Sequence, residues 1–142
     1  MAADEREDLA RSDRRSRRIL NFGHTIAHAL EAVTKYRRFR HGEAVGHGML
    51  VAGELSKNLG LLDETELELL KEAVSLCGPL PSARDVDERA VVKAIAHDKK
   101  RTAGHVQWVL LERIGRPLSV DGNKISPALL SKTVHEVLNR SY

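Results

Sequence analysis

Hydrophobic positions recur at helical spacing along most of this chain, and one stretch adds polar, ligand-type side chains to that rhythm. Within residues 20–31, Asn21, His24, His28 and Glu31 follow at steps of three, four and three. On a helix these steps set all four on one face. Ile26, Leu30 and Val33 fall towards the other side and are placed to pack. The pattern predicts a first helix from residue 19 or 23 to about residue 34, with Arg17 roughly in line with the polar face. A basic connector follows over residues 35–41, Lys-Tyr-Arg-Arg-Phe-Arg-His. It reads as a solvated loop or as a phosphate-binding segment. A second helix is expected from Gly42 to about Leu59, with Val45, Met49, Ala52, Leu55 and Leu59 at helical spacing. Gly46, Gly48 and Gly53 lower its propensity by up to ~1 kcal/mol each, which suits close approach of another helix. Gly60 supplies a stop.

Asp63 with Glu66 three residues on forms the pattern of a capping box for a third helix, whose core stripe is Leu67, Leu70, Val74 and Cys77. Gly78-Pro79-Leu80-Pro81 ends it. Asp85 or Asp87 can cap a fourth helix, which carries Val91, Val92 and Ile95 and runs into His97-Asp98-Lys99-Lys100-Arg101. Residues 105–111 read as a short strand, paired with Arg116–Val120 across Gly115. Ser126 as N-cap and Pro127 at the first helical position open a last helix to about Asn139. The expected architecture is mainly α, a helical bundle with one small β-hairpin.

Composition narrows the class. The 142 residues suit one domain with a real core. Aromatics make up only 4%, which leaves the core to Leu, Val, Ile and Ala. Residues 2–18 are dense in charge of both signs with no apolar periodicity, so a charged lead-in over 1–18 and a helical domain over 19–142 are expected. A net charge of +3 accommodates a phosphate-bearing small molecule and does not argue for nucleic acid. The one cysteine, Cys77, excludes an internal disulfide and reads as a small buried apolar residue. No apolar run has the length of a membrane span. The first residues lack the apolar core of a signal peptide, so a cytoplasmic location without a membrane partner is expected.

His24 and His28 lie one helical turn apart, and His41 stands at the next helix start. Three imidazoles so placed can build a metal and anion site. The zinc-protease pattern His-Glu-x-x-His is absent, because Thr25 and Ile26 follow His24. Such a His pair also arises by coincidence, so spacing alone gives a candidate polar site and no reaction.

Four stretches together are more specific. Leu20-Asn21-Phe22-Gly23-His24-Thr25, His28-Ala29-Leu30-Glu31, His41-Gly42-Glu43-Ala44-Val45 and Asp98-Lys99-Lys100 occur in this order. The combination resembles the C-terminal half of 3-dehydroquinate synthase, of the shikimate pathway and the sugar-phosphate cyclase superfamily, and Asp4-Glu5-Arg6-Glu7 resembles the segment before that half. The resemblance implies an enzyme that converts 3-deoxy-D-arabino-heptulosonate 7-phosphate into 3-dehydroquinate and phosphate. It also implies zinc or another divalent metal, and NAD held mostly by an N-terminal half. His24 and His41 match two of three metal ligands, the third being a glutamate of that other half. His28 matches the histidine near the phosphate and the transferring proton. Asn21 and Arg17 match groups that hold the substrate, and Lys99 and Lys100 match a lysine pair of which one contacts it. Glu31 and Glu43 are expected to orient the histidines or to be structural. His47, His97, His105 and His135 are expected to be ordinary surface or packing residues.

Ala27 departs from the family, which usually has Gly there. No Gly-rich turn between a strand and a helix is present, so no dinucleotide site is encoded. The chain is therefore expected to be inactive alone: an excised domain, a truncated product or half of a split enzyme. A phosphorylated small molecule and the NAD-binding half are the expected partners, with a homodimer possible. The competing readings are another sugar-phosphate cyclase, a related metal-dependent alcohol dehydrogenase, and a non-catalytic helical binding domain.

Overall fold

The computed structural model of the chain describes residues 21–101 and 106–140, with the backbone alone for 99–101. Arg17, the charged lead-in and His105 lie outside the described residues. Among the described residues five α-helices and one hairpin follow in order: α1 (His24–Val33), α2 (His41–Asn58), α3 (Glu64–Leu76), α4 (Glu88–Arg101), β1 (Gln107–Arg113), β2 (Arg116–Asp121) and α5 (Pro127–Leu138). The mainly helical bundle with a small hairpin is thus the fold of the chain.

The central helix, α2, is buried along most of its length, from Ala44 to Ser56. Three of its four glycines, Gly46, Gly48 and Gly53, sit at close contacts. A Cβ on Gly48 would lie 1.9 Å from the Gly23 carbonyl oxygen, and one on Gly53 would lie 2.5 Å from the Leu70 side chain. Gly23 itself has φ 85, a left-handed conformation that suits a residue without Cβ. It forms the N-cap of α1, so α1 begins at His24 where it crosses α2. Asn21 consequently lies in the turn ahead of the helix, and the helical spacing expected from Asn21 to His24 does not apply.

Partners distant in sequence revise several local expectations. Asp63 caps α3 by accepting from the Glu66 amide at 2.8 Å. The Glu66 side chain does not return to close the box; it accepts from the Ile114 amide at 3.0 Å, in the β1–β2 turn. Cys77 is exposed rather than buried, because α3 ends before it and its turn faces outward. Asp87 caps α4, accepting from the Arg89 and Ala90 amides at 3.0 and 3.3 Å. Asp85 instead takes a two-pronged contact from Arg38 at 2.7 and 2.6 Å. That pairing gives the basic connector a structural task.

The hairpin is antiparallel, with Leu110 opposite Leu118 and an irregularity between Leu111 and Arg113. Trp108, Val109, Leu110 and Leu111 are all buried. Ser56, buried in α2, accepts from the Leu111 amide at 3.0 Å and donates to the Ala52 carbonyl at 2.7 Å. This fastens β1 to the central helix. Ser126 caps α5 through the Leu129 amide at 3.1 Å, with Pro127 in the first turn. Among the described residues no helix is long and apolar enough to cross a membrane.

Candidate functional site

The Gly23–Gly48 contact packs the start of α1 against the middle of α2, while Glu31 near the end of α1 meets His41 at the start of α2. His24 stands in the middle of a group of three imidazoles. Its ring centroid lies 5.6 Å from that of His28 and 5.6 Å from that of His41, edge to face in both cases. His24 and His28 share α1 one turn apart, and His41 is the first residue of α2.

The His24 pKa is lowered from its ordinary value, first by burial and then by the nearby His28 and His41, with Glu31 pulling the other way. Neutral imidazole is the form that binds a divalent metal. With Zn–N bonds of about 2.0–2.1 Å, two imidazoles on one tetrahedral ion have centroids roughly 5 Å apart. The observed spacing fits that arrangement for His24 with either neighbour.

Glu31 separates the two neighbours. It is buried in the last turns of α1, and its Oε1 lies 2.7 Å from His41 Nδ1. Glu43 does something else. Its Oε2 accepts from the Arg40 amide at 2.8 Å and so closes the start of α2. Among the described residues, no group of three or more His, Cys, Asp or Glu side chains is arranged to hold a metal by itself.

A cavity of about 400 Å³ opens between α1 and α4, lined in part by His28, Glu31, Tyr36, His97 and Asp98. It places the family-type His28 next to the start of the Asp98-Lys99-Lys100 segment, which belongs to α4. The described side chains of α4 end at Asp98. His97, expected from sequence to be an ordinary surface or packing residue, lines this cavity, and Tyr36 was not singled out. The available signal was the position of His97 immediately before that segment. Tyr36 gave none, since it reaches the cavity through a left-handed backbone, φ 59. Asn21 is exposed at the entry to α1. His47 and His135 serve packing and pairing, as expected: His47 bonds the Pro81 carbonyl, and His135 pairs with Glu88.

Residues 2–101 match the 3-dehydroquinate synthase C-terminal family. The chain belongs to that family. A 3-dehydroquinate synthase from Thermoanaerobacter pseudethanolicus is 40% identical over 116 residues, which is 82% of this chain and 31% of the relative. One from a Synechococcus species is 38% identical over 139 residues, 97% of this chain and 34% of the relative. This member of the dehydroquinate synthase C-terminal family thus spans about a third of the length of the relatives it matches. Among solved structures, a 2-epi-5-epi-valiolone synthase from Streptomyces hygroscopicus subsp. jinggangensis, with NAD+ and Zn2+ bound, superposes with a TM-score of 0.69 at 25% identity. The match covers 86% of this chain and 33% of that one. A 2-deoxy-scyllo-inosose synthase complexed with carbaglucose-6-phosphate, NAD+ and Co2+ shares the fold at a TM-score of 0.65 and 22% identity, over 84% of this chain and 33% of that one.

Proposed function

We propose that this chain is the metal- and substrate-binding part of a 3-dehydroquinate synthase, acting on 3-deoxy-D-arabino-heptulosonate 7-phosphate together with an NAD-binding half. The observation that carries the reading is the convergence of His24, His28 and His41 on one helix crossing, in a chain about 40% identical to curated 3-dehydroquinate synthases. Residues 19–142 are read as the helical domain and residues 1–18 as its charged lead-in.

His24 and His41 would hold the divalent metal, with a third donor supplied by the other half. The metal, when bound, polarises the substrate hydroxyl and the ketone that replaces it. His28 faces the cavity between α1 and α4 and would carry the proton near the phosphate. Arg17 offers a planar fork for phosphate, and Lys99 or Lys100 a mobile point charge. Asn21, exposed at the entry to α1, would bond the substrate's polar groups. NAD would be held mostly by the other half, and turnover by the chain alone is not expected.

One observation favours a second reading, another sugar-phosphate cyclase. Ala27, where the family usually has Gly, is fully buried in α1 between His24 and His28, so its methyl group bears on how that helix packs. Phosphate release from the heptulosonate phosphate, with NAD and zinc, tests the first reading. The chain is assayed alone and mixed with the N-terminal half of a dehydroquinate synthase. Release in the mixture only, with 3-dehydroquinate as product, supports it. A different carbocycle supports the second reading, and turnover by the chain alone contradicts the division of labour.

A further inference from the structure

Glu31 is buried, and a buried carboxylate is costly unless a donor faces it. Its Oε1 lies 2.7 Å from His41 Nδ1, a distance typical of a charge-assisted hydrogen bond. The backbone around Glu31 is itself fixed. Its carbonyl accepts from the Tyr36 amide at 2.8 Å as the chain turns out of α1. The His41 side chain is 62% exposed while that of Glu31 is 11% exposed, so the carboxylate is the anchored member of the pair.

We infer that Glu31 is a positioning residue for the site: its carboxylate takes the Nδ1 proton of His41 in a hydrogen bond, fixes that tautomer, and leaves Nε2 as the donor to a divalent metal. This also favours His41 of the two neighbours of His24, since both rings have the same spacing and among the described residues the Glu31 carboxylate bonds His41. The inference rests on the proposed metal role of His24 and His41 and adds the atom through which His41 acts.

The test begins without metal. Nitrogen-15 NMR of the imidazoles in the full chain, above the His titration range, reads the tautomer of each ring. The expected result is the Nδ1–H form at His41, kept in Glu31→Gln, whose amide oxygen still accepts, and lost in Glu31→Ala. An Nε2–H form in the wild type, or an unchanged tautomer in Glu31→Ala, overturns the inference. If Glu31→Ala fails to fold, the wild-type tautomer and the second measurement decide. That measurement is Co2+ affinity of the chain mixed with the N-terminal half of a relative. Glu31→Gln should weaken it about 10-fold, in the range known for such outer contacts. Glu43→Gln, whose carboxylate is used at the helix start, should change it less than about twofold. Equal effects of the two variants overturn the inference. Absence of Co2+ uptake by the wild type, with the Nδ1–H form intact, overturns the metal reading alone.

Discussion

Two buried or half-buried imidazoles in this chain show how differently the same side chain is used. His24 sits among other titratable groups, His28, His41 and Glu31. His47 is almost fully buried in α2, donates from Nε2 to the Pro81 carbonyl at 2.8 Å and packs edge-on against Phe39. Its Nδ1 has no hydrogen-bond partner among the described residues. Burial lowers the His47 pKa, against smaller opposing effects of the Pro81 bond and Glu43. An unfolded His titrates near pH 6.5, so below that pH the unfolded chain binds the proton more readily than the folded one. The stability that His47 contributes is therefore intact above about pH 6.5 and is lost as pH falls through its lower folded-state value. Denaturant unfolding between about pH 7.5 and 5 should show a shallower loss of stability in His47→Gln than in the wild type. Equal slopes would contradict this. Helical spacing alone does not separate His47 from His24; only the motif around His24 does so in sequence. Burial and partners do so in the fold, and both depend on elements far along the chain.

The site exists because α1 and α2 cross where neither helix has a side chain. A Cβ on Gly48 would meet the Gly23 carbonyl at 1.9 Å, with only backbone there to give way. Gly48→Ala should therefore cost about 3 kcal/mol or more by overpacking, and should separate His24 from His41. Gly42→Ala is the control on the same helix, since its Cβ would meet nothing within 4 Å. It should be neutral or stabilising by up to about 1 kcal/mol. Thermal unfolding of both variants checks the contrast. Ser56→Ala should cost about 1–3 kcal/mol in denaturant unfolding, because it leaves the Leu111 amide without its acceptor. The close-contact role of Gly46, Gly48 and Gly53 was legible in sequence, because glycines inside a helix have few other uses. The cap of α3 was legible only in part. Asp63 acts locally, whereas Glu66 is drawn to Ile114, a partner 48 positions away.

Across the whole molecule, the last turn is tied to the centre by charge. Glu54, buried in α2, faces Arg140 beyond α5 and Lys71 of α3, the latter at 3.4 Å. Arg140→Ala should cost about 2 kcal/mol, the usual scale for a hydrogen bond to a charged group, since Lys71 remains to neutralise Glu54. An unchanged unfolding midpoint would show that Lys71 alone suffices. At this scale the fold class followed from helical periodicity, and the family from four short motifs whose residues are close in sequence. The Glu31–His41 contact was not visible as an atom pair, because it joins two helices across a connector that turns through left-handed Lys35 and Tyr36. The central claim is that one ion is held by His24 and His41 while His28 serves the substrate. The most direct measurement is zinc content of the chain mixed with an N-terminal half, for the wild type and for His24→Ala, His41→Ala and His28→Ala. One bound zinc that is lost in the first two variants and retained in His28→Ala, with phosphate release lost in all three, is the predicted result. Zinc retained in His41→Ala, or lost in His28→Ala, would contradict it.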